Sequence, residues 1–251
     1  MPKRKSNLQI VHDDSQPTFN KKPGGCKLRI EDLVVIDPMT TNQSLFFQQY
    51  KKGSAFLLHG AAGTGKTYIA LYKALEEVLE AGNPYKKVIV CRSAVPSRDI
   101  GHLPGDQAEK TEVYMQPYIN MVDELFPGKQ NAFGRLQEGK SLQWMITSFV
   151  RGITLDNAIV LVDECQNMND MELNSIMTRI GTDSKVIFCG DFRQSDLYKN
   201  RNDMSGLQKF MVIADMMKSF NIIEFGIDDI VRSDIVKEYL LARMQYEDQY
   251  S

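Results

Sequence analysis

The sequence predicts an α/β fold in which a largely parallel sheet is flanked by helices. Short apolar runs at 87–91 and 158–162 have the composition of strands buried on both faces. Segments with a helical spacing of apolar residues alternate with these runs along the chain. A glycine-rich loop at 60–67, which follows one apolar run and precedes one helical segment, has the spacing of a phosphate-binding loop.

Composition indicates one globular domain. The 251 residues are 43 % hydrophobic and 25 % charged, and the formal net charge is −2, so any nucleic-acid site must be a local patch. No apolar stretch approaches the roughly 20 residues of a membrane span, and no signal peptide is evident. The four cysteines form no C-x-x-C pair, so we expect buried, reduced thiols and a cytoplasmic protein.

We expect a domain at 28–251 and a flexible tail at 1–27. The tail is polar, and its basic residues outnumber its acidic ones, so it lacks the apolar material needed to order itself. Whether it makes a weak electrostatic contact with nucleic acid stays open.

The phosphate loop carries the strongest functional signal. The run 55–59 before it predicts a strand, and 68–81 after it predicts a helix. Such a junction turns backbone N–H groups towards phosphates and adds the partial positive charge of a helix N-terminus. Lys66 is expected to reach the β- and γ-phosphates, and the Thr67 hydroxyl to bind Mg²⁺. The predicted nucleotide-binding residues are Gly60, Ala61, Ala62, Gly63, Thr64, Gly65, Lys66, Thr67 and Tyr68.

Ahead of this loop, 33–36 predicts a short strand, and a short helix is expected to end at Tyr50. Gln43 lies between them. Its side-chain amide has a donor and an acceptor that suit the N6 and N7 edge of adenine. Gln43 is therefore a candidate adenine-reading residue. The alternative is that Gln43 is an ordinary surface residue.

A second acidic signal follows the predicted strand at 158–162. Asp163 and Glu164 come directly after this apolar run, which is a Walker B pattern. We expect Asp163 to bind Mg²⁺ and Glu164 to orient and polarise the attacking water. Between the two motifs, the sequence predicts a helix at 111–126 around Pro117 and a strand over Leu142–Ile146.

The last third of the chain predicts three further helices and two strands. Asn169 and Glu172 have capping-box spacing at the start of a helix that carries Arg179 and ends at Gly181. The strand at 185–189 leads to Gln194, a candidate γ-phosphate sensor. A helix at 207–217, a strand at 221–225 and a final helix at 229–244, which includes Arg232, complete the chain.

The order of these motifs resembles that of the PhoH-like ATPases, in a short form like those of bacteria and their phages. The resemblance covers about 37–245. Ala61 and Ser93 stand where the family usually has proline, and 95–100 lacks its usual acidic stretch. The matching segments are N-Q at 42–43, G-T-G-K-T-Y at 63–68, R-x-x-V at 92–95, L-P-G-D at 103–106, R-G-x-T at 151–154, D-E-x-Q-N at 163–167, T-R-I-G at 178–181, G-D-x-x-Q-x-D at 190–196 and D-I-V-R at 229–232.

The resemblance implies a single RecA-like core related to superfamily 1 helicases, with ATP and Mg²⁺ as cofactors and a homohexameric ring. It also implies coupling to RNA or single-stranded DNA, and a location in the cytoplasm, that of the host if a phage encodes the chain. We expect no nuclease domain ahead of this domain, because few residues precede it in the sequence, and one core needs an arginine from a neighbour. We expect Arg179 to act in trans and Arg232 to contact the γ-phosphate in cis.

Two alternatives stay open at the level of function. The ATPase could be a switch that recruits a partner in RNA processing or phosphate-stress physiology without translocating. A small-molecule kinase is the other alternative. The absence of an N-K-x-D motif argues against a GTPase.

Overall fold

The computed structural model describes residues 27–93, 107–191 and 206–250. Within these ranges, six strands form one sheet in the order β3-β2-β4-β5-β1-β6, and every pairing between them is parallel. The strands are β1 (Ala55–Gly60), β2 (Lys87–Arg92), β3 (Leu142–Ile146), β4 (Ala158–Asp163), β5 (Lys185–Gly190) and β6 (Phe220–Phe225). The helices are α1 (Thr41–Tyr50), α2 (Lys66–Leu79), α3 (Gln107–Leu125), α4 (Ala132–Glu138), α5 (Asp170–Met177), α6 (Gly206–Asp215) and α7 (Asp234–Tyr250).

Helices cover both faces of the sheet because successive strand residues point to opposite sides. On β4, Ile159 and Leu161 join the core beneath α1 to α4, while Val160 and Val162 join the core beneath α5 and α6. The central strands are buried along their whole length. The predicted α/β fold with a parallel sheet is confirmed.

Most predicted elements are confirmed, but the strand at 33–36 is wrong. That segment is irregular, its Val34 N–H donates to the carbonyl of Leu125 at the end of α3, and Val35 is 84 % exposed. The sequence pattern also missed α4, a short helix whose Phe133 and Leu136 pack into the larger core.

Two helix boundaries differ from the predicted ones, and both differences change where a candidate arginine lies relative to its helix. Helix α5 ends at Met177, because the chain turns there and Ile180 forms a bridge with Leu155, so Arg179 lies beyond the helix. Helix α7 begins only at Asp234. A short 3-10 turn over Ile227–Asp229 precedes it, which places Arg232 before the helix and not on it.

Three cysteines, Cys91, Cys165 and Cys189, are buried and free, as predicted. Across the three described ranges, no helix has both the length and the apolar character needed to cross a membrane.

Candidate nucleotide-binding site

The phosphate loop turns sharply at Gly60, which has a φ of 114°. A Cβ atom there would lie 2.2 Å from the carbonyl oxygen of Phe225, so only glycine fits against β6. The next residue, Ala61, donates its N–H to the same carbonyl over 2.8 Å. The end of β6 therefore fixes the first turn of the loop.

Lys66 begins α2, and its ammonium group lies at the centre of the loop. Its Nζ atom donates to the carbonyls of Gly60 and Ala61 at 2.9 and 2.7 Å and approaches Thr64 Oγ1 at 3.3 Å. Burial lowers the pKa of Lys66, and the charge of Asp191 opposes this shift. The loop thus concentrates one buried positive charge where a nucleotide's phosphates would meet it.

Thr67 and Asp163 are brought together although they are 96 residues apart in sequence. The Thr67 hydroxyl donates to Asp163 Oδ1 over 2.7 Å, which joins the start of α2 to the end of β4. A hydroxyl and a carboxylate are hard oxygen ligands, and Mg²⁺ at phosphate sites uses only one or two carboxylates plus phosphate oxygens and water. The pair fits Mg²⁺, although no group of three acidic, histidine or cysteine residues occurs among the described residues.

Glu164 follows Asp163 in a left-handed backbone conformation, with a φ of 53°. Burial and the neighbouring charge of Asp163 raise the pKa of Glu164. Gln166 donates from Nε2 to the Glu164 carboxylate over 2.5 Å and accepts the N–H of Asp191 at 3.1 Å. Gln166 therefore links the acidic pair to the end of β5.

Strand β5 lies between β1 and β4 in the sheet. Its carboxyl end therefore lies between the phosphate loop and the acidic pair. Asp191, the first residue beyond β5, is buried there and acts electrostatically on Lys66. Gln194, the predicted γ-phosphate sensor, lies outside the described residues.

Gln43 lies beneath the phosphate loop and is only 3 % exposed. Its Nε2 donates to the Thr64 carbonyl at 3.0 Å, and its Oε1 accepts the Met39 N–H at 2.8 Å. The amide therefore fixes the loop to the segment before α1. Adenine reading by Gln43 stays a prediction, because each amide atom keeps one further hydrogen-bonding position.

A cleft of about 760 Å³ has the sequence neighbours of Gln43, Asn42 and Ser44, among its lining residues. The first turn of α1 and the segment after β6 line it, including Thr41, Asn42, Gly226 and Asp229. Asn42 Nδ2 donates to Asp229 Oδ2 over 2.7 Å and ties these two walls together. Its size suits a nucleoside.

The two candidate arginines lie in different places. Arg232 is exposed and packs on the phosphate loop, since a Cβ atom on Gly63 would meet its Cγ at 2.9 Å. The carbonyl of Arg179 accepts the N–H of Leu155, which precedes the opposite end of β4 from Asp163. Strand β4 spans roughly 17 Å at about 3.3 Å per residue. Arg179 therefore lies far from the site of its own subunit.

Sequence reasoning missed Tyr118, whose hydroxyl donates to Asp163 Oδ2 from α3. The sequence placed Tyr118 only within the helix predicted at 111–126, and its side chain is 1 % exposed. No local signal indicated this contact, because Tyr118 and Asp163 are 45 residues apart in sequence. Gln166 belongs to the D-E-x-Q-N segment at 163–167, but its hydrogen bond with Asp191 was not predicted.

A second cleft, of about 450 Å³, lies at the carboxyl ends of β2 and β3. Hydroxyl groups and one arginine predominate among its lining residues. The lining residues are Ser93, Thr147, Ser148, Arg151, Asn169, Glu172 and Ser175. Glu172 Oε1 accepts from both Ser93 and Thr147, so this carboxylate is held within the wall.

A phosphate loop after β1 and an acidic pair after β4, with one strand between them, define the RecA-like class of P-loop nucleoside triphosphatase folds. The large terminase of a thermophilic bacteriophage, in complex with ADP, has a similar fold, with a TM-score of 0.51 at 16 % identity. That similarity covers 85 % of this chain and 50 % of the terminase.

The chain belongs to the PhoH-like protein family, whose model matches residues 35–243. It is 30 % identical to the PhoH-like protein of Bacillus subtilis (strain 168), over 95 % of this chain and 71 % of that protein. The PhoH-like protein of Mycobacterium tuberculosis (strain H37Rv) is 31 % identical, over 85 % of this chain. This chain spans 59 % of the mycobacterial protein's length.

Proposed function

We propose that the chain binds Mg²⁺·ATP at the phosphate loop and hydrolyses it. The hydrogen bond between Thr67 Oγ1 and Asp163 Oδ1, at 2.7 Å, carries this proposal. It joins the two magnesium-binding elements of a P-loop site in one place, next to the buried charge of Lys66.

The chain's own residues divide the work. Lys66 would exchange its loop carbonyls for phosphate oxygens and so stabilise charge that develops on the transferred phosphoryl group. Glu164, oriented by Gln166, would hold the attacking water in line. Mg²⁺, when bound by Thr67 and Asp163, would neutralise phosphate charge. Arg232 would contact the γ-phosphate in cis, and its packing on the loop at Gly63 supports this role.

Lys66→Ala tests this proposal. We expect ATP turnover to fall by at least about 100-fold, because the variant lacks the charge that stabilises the transition state. Phosphate release is the measurement, with Lys86→Ala, a lysine outside the site, as the control. Turnover by Lys66→Ala at the control rate would contradict the proposal.

We further propose that hydrolysis is coupled to single-stranded nucleic acid, RNA in the first instance. The second cleft supports this, since Arg151 and the Ser148 hydroxyl suit phosphate oxygens, and the cleft lies at the same edge of the sheet as the acidic pair. Coupling to movement or remodelling would then follow from hydrolysis at the neighbouring site.

Turnover with and without single-stranded RNA or DNA tests the coupling. Stimulation by RNA that Arg151→Ala weakens, with basal turnover unchanged, is the expected result. Lys140→Ala removes a charge outside this cleft and should keep the stimulation. No stimulation by either polynucleotide would favour a nucleotide switch that recruits a partner.

We also propose that subunits assemble into a ring and that each ATPase site is completed by Arg179 of the neighbouring subunit, which acts in trans. The position of Arg179 beyond the far end of β4 supports this, because it is remote from its own Asp163. Its Nε atom is buried and has no hydrogen-bond partner among the described residues.

A further inference from the structure

Both carboxylate oxygens of Asp163 are held by hydroxyl groups. Thr67 donates to Oδ1, and Tyr118 donates to Oδ2. Asp163 is 6 % exposed and Tyr118 is 1 % exposed, so water does not compete freely for either bond. The orientation of the carboxylate is therefore set by two side chains from different helices.

Helix α3 is built to bring this hydroxyl to the acidic pair. Met115 and Val122 on the same side of the helix are buried and fix its distance from the sheet. The Tyr118 ring packs on Trp144 of β3, with ring centroids 5.0 Å apart. One turn earlier, the Tyr114 ring lies 5.4 Å from the guanidinium carbon of Arg92. Arg92 is the register partner of Asp163 across β2 and β4.

We propose that Tyr118 is a positioning residue for magnesium, whose hydroxyl holds Asp163 Oδ2 so that Oδ1 faces Thr67 and the ion. The inference rests on the proposed ATPase function. Without the Tyr118 hydroxyl, the carboxylate would rotate, and a buried oxygen would lose its partner.

Tyr118→Phe removes only the hydroxyl and leaves the ring on Trp144. We expect the Mg²⁺ concentration that gives half-maximal ADP binding or turnover to rise about ten-fold. Mutation of a residue that hydrogen-bonds to a metal ligand typically lowers metal affinity by about 10–100-fold. The readouts are the Mg²⁺ dependence of fluorescent-ADP binding and of turnover. ADP binding in excess chelator should equal that of the unaltered chain.

Tyr72→Phe is the matched control. Tyr72 is also buried and donates its hydroxyl to a carboxylate, Glu76 Oε1, over 3.1 Å, but that carboxylate is not in the site. Tyr72→Phe should keep the Mg²⁺ midpoint, the concentration at half-maximal ADP binding, of the unaltered chain. An unchanged midpoint in Tyr118→Phe, with only a lower unfolding temperature, would show a purely structural role and overturn the proposal.

A second measurement avoids any loss of folding. 3-Fluorotyrosine placed at position 118 alone keeps the hydroxyl, and its ¹⁹F resonance should shift when Mg²⁺ is added to the ADP complex. The same label at position 72 should not respond, and silence at both positions would contradict the assignment. If the unaltered chain binds no ADP with Mg²⁺, the proposed function itself fails. If it binds ADP and Tyr118→Phe is indistinguishable from it, only the role of Tyr118 fails.

Discussion

Gly190, the last residue of β5, lies against Cys165 and Gln166, which follow the acidic pair in sequence. A Cβ atom at this position would lie 2.6 Å from Cys165 Sγ and 2.8 Å from Gln166 Oε1. We therefore expect Gly190→Ala to displace Gln166 and release Glu164. Turnover should fall by about ten-fold or more, because small misplacements of an orienting group cost about that much. ADP affinity should change little, since the phosphate loop is untouched.

The control for Gly190→Ala is Gly226→Ala, at a position where an added Cβ atom would meet nothing within 4 Å. Gly226→Ala should unfold at the same temperature as the unaltered chain. The comparison distinguishes the effect of steric crowding at Gly190 from the general effect of replacing glycine with alanine. Gly190→Ala with the original turnover would show that Gln166 does not hold Glu164 for catalysis.

Glu164 shows a conflict between stability and activity. Burial and the charge of Asp163 raise its pKa in the folded state, so the folded protein loses stability as pH rises through that pKa. Glu164→Gln removes this cost at neutral pH and should raise the unfolding temperature. A gain of about 1 kcal/mol corresponds to about 2–4 °C in a chain of this size. Turnover should fall by about 100-fold or more.

Calorimetry in excess chelator, together with phosphate release, measures both effects of Glu164→Gln. Glu138→Gln, on the last residue of α4, supplies the same substitution away from Asp163 and should change neither quantity. A lower unfolding temperature for Glu164→Gln would contradict the argument from charge burial.

At the scale of residues, the sequence predicts roles where a local motif encodes them. The proposed roles of Lys66 and Thr67 follow from eight consecutive residues, and that of Asp163 follows from one strand end. The bond from Tyr118 to Asp163 spans 45 residues and depends on how α3 packs, which no local spacing records. The interior place of Gln43 was missed for the same reason, since its partner Thr64 lies 21 residues away.

At the scale of elements, Asp229 connects the turn after β6 to α1. Its carboxylate accepts from Gly226 N at 2.9 Å and from Asn42 Nδ2 at 2.7 Å. Burial alone would raise the pKa of Asp229, but hydrogen bonds from Thr40, Asn42 and Gly226 lower it. Its contribution to stability is therefore present above the ordinary aspartate pKa of 3.8 and lost as pH falls through the lower folded value.

Asp229→Asn should lower the free energy of unfolding by about 1–3 kcal/mol at neutral pH, because one carboxylate oxygen is replaced by an NH₂ group that cannot accept. ADP should also bind more weakly, since the α1 wall of the large cleft loses its tie. Urea unfolding and ADP titration are the measurements. Asp123→Asn, the same change at an exposed residue of α3 outside this cleft, should alter neither. Equal effects of the two variants would exclude a specific role for Asp229.

Helices and strands were predicted well where buried residues recur at regular spacing. They were predicted poorly where a single tertiary contact determines the local structure. The buried strands β2, β4 and β5 are continuous apolar runs, as expected in the interior of a parallel sheet. The run at 33–36 has a similar composition but packs beside α3 and pairs with no described strand. The late start of α7 follows a 3-10 turn whose Asp229 side chain bonds to Gly226 and Asn42, contacts that no helical spacing records.

At the scale of the whole molecule, the sheet order brings the phosphate loop and the acidic pair to one edge and places Arg179 towards the other. A parallel sheet necessarily aligns the carboxyl ends of its strands, so the composition of the site could be predicted from the strand-to-loop order alone. The place of Arg179 could not, since it depends on the bridge between Leu155 and Ile180.

Mixing two inactive variants tests the division between trans and cis arginines. Lys66→Ala disables the subunit's own phosphate loop, whereas Arg179→Ala would disable only the neighbour's site. In a mixed ring, an Arg179→Ala subunit beside a Lys66→Ala subunit has an intact loop and receives an intact arginine. Random mixing in equal amounts should therefore restore roughly a quarter of the sites, and phosphate release should rise accordingly.

Arg232→Ala gives the opposite expectation, because Arg232 packs on the Gly63 loop of its own subunit. Mixed with Lys66→Ala, it should restore no turnover, since each subunit then has a defect in its own site. Sedimentation of each mixture must show the same assembly as the unaltered chain, so that subunit exchange is established. Recovery with Arg232→Ala and none with Arg179→Ala would reverse the two assignments. Recovery with neither would remove Arg179 from the site altogether.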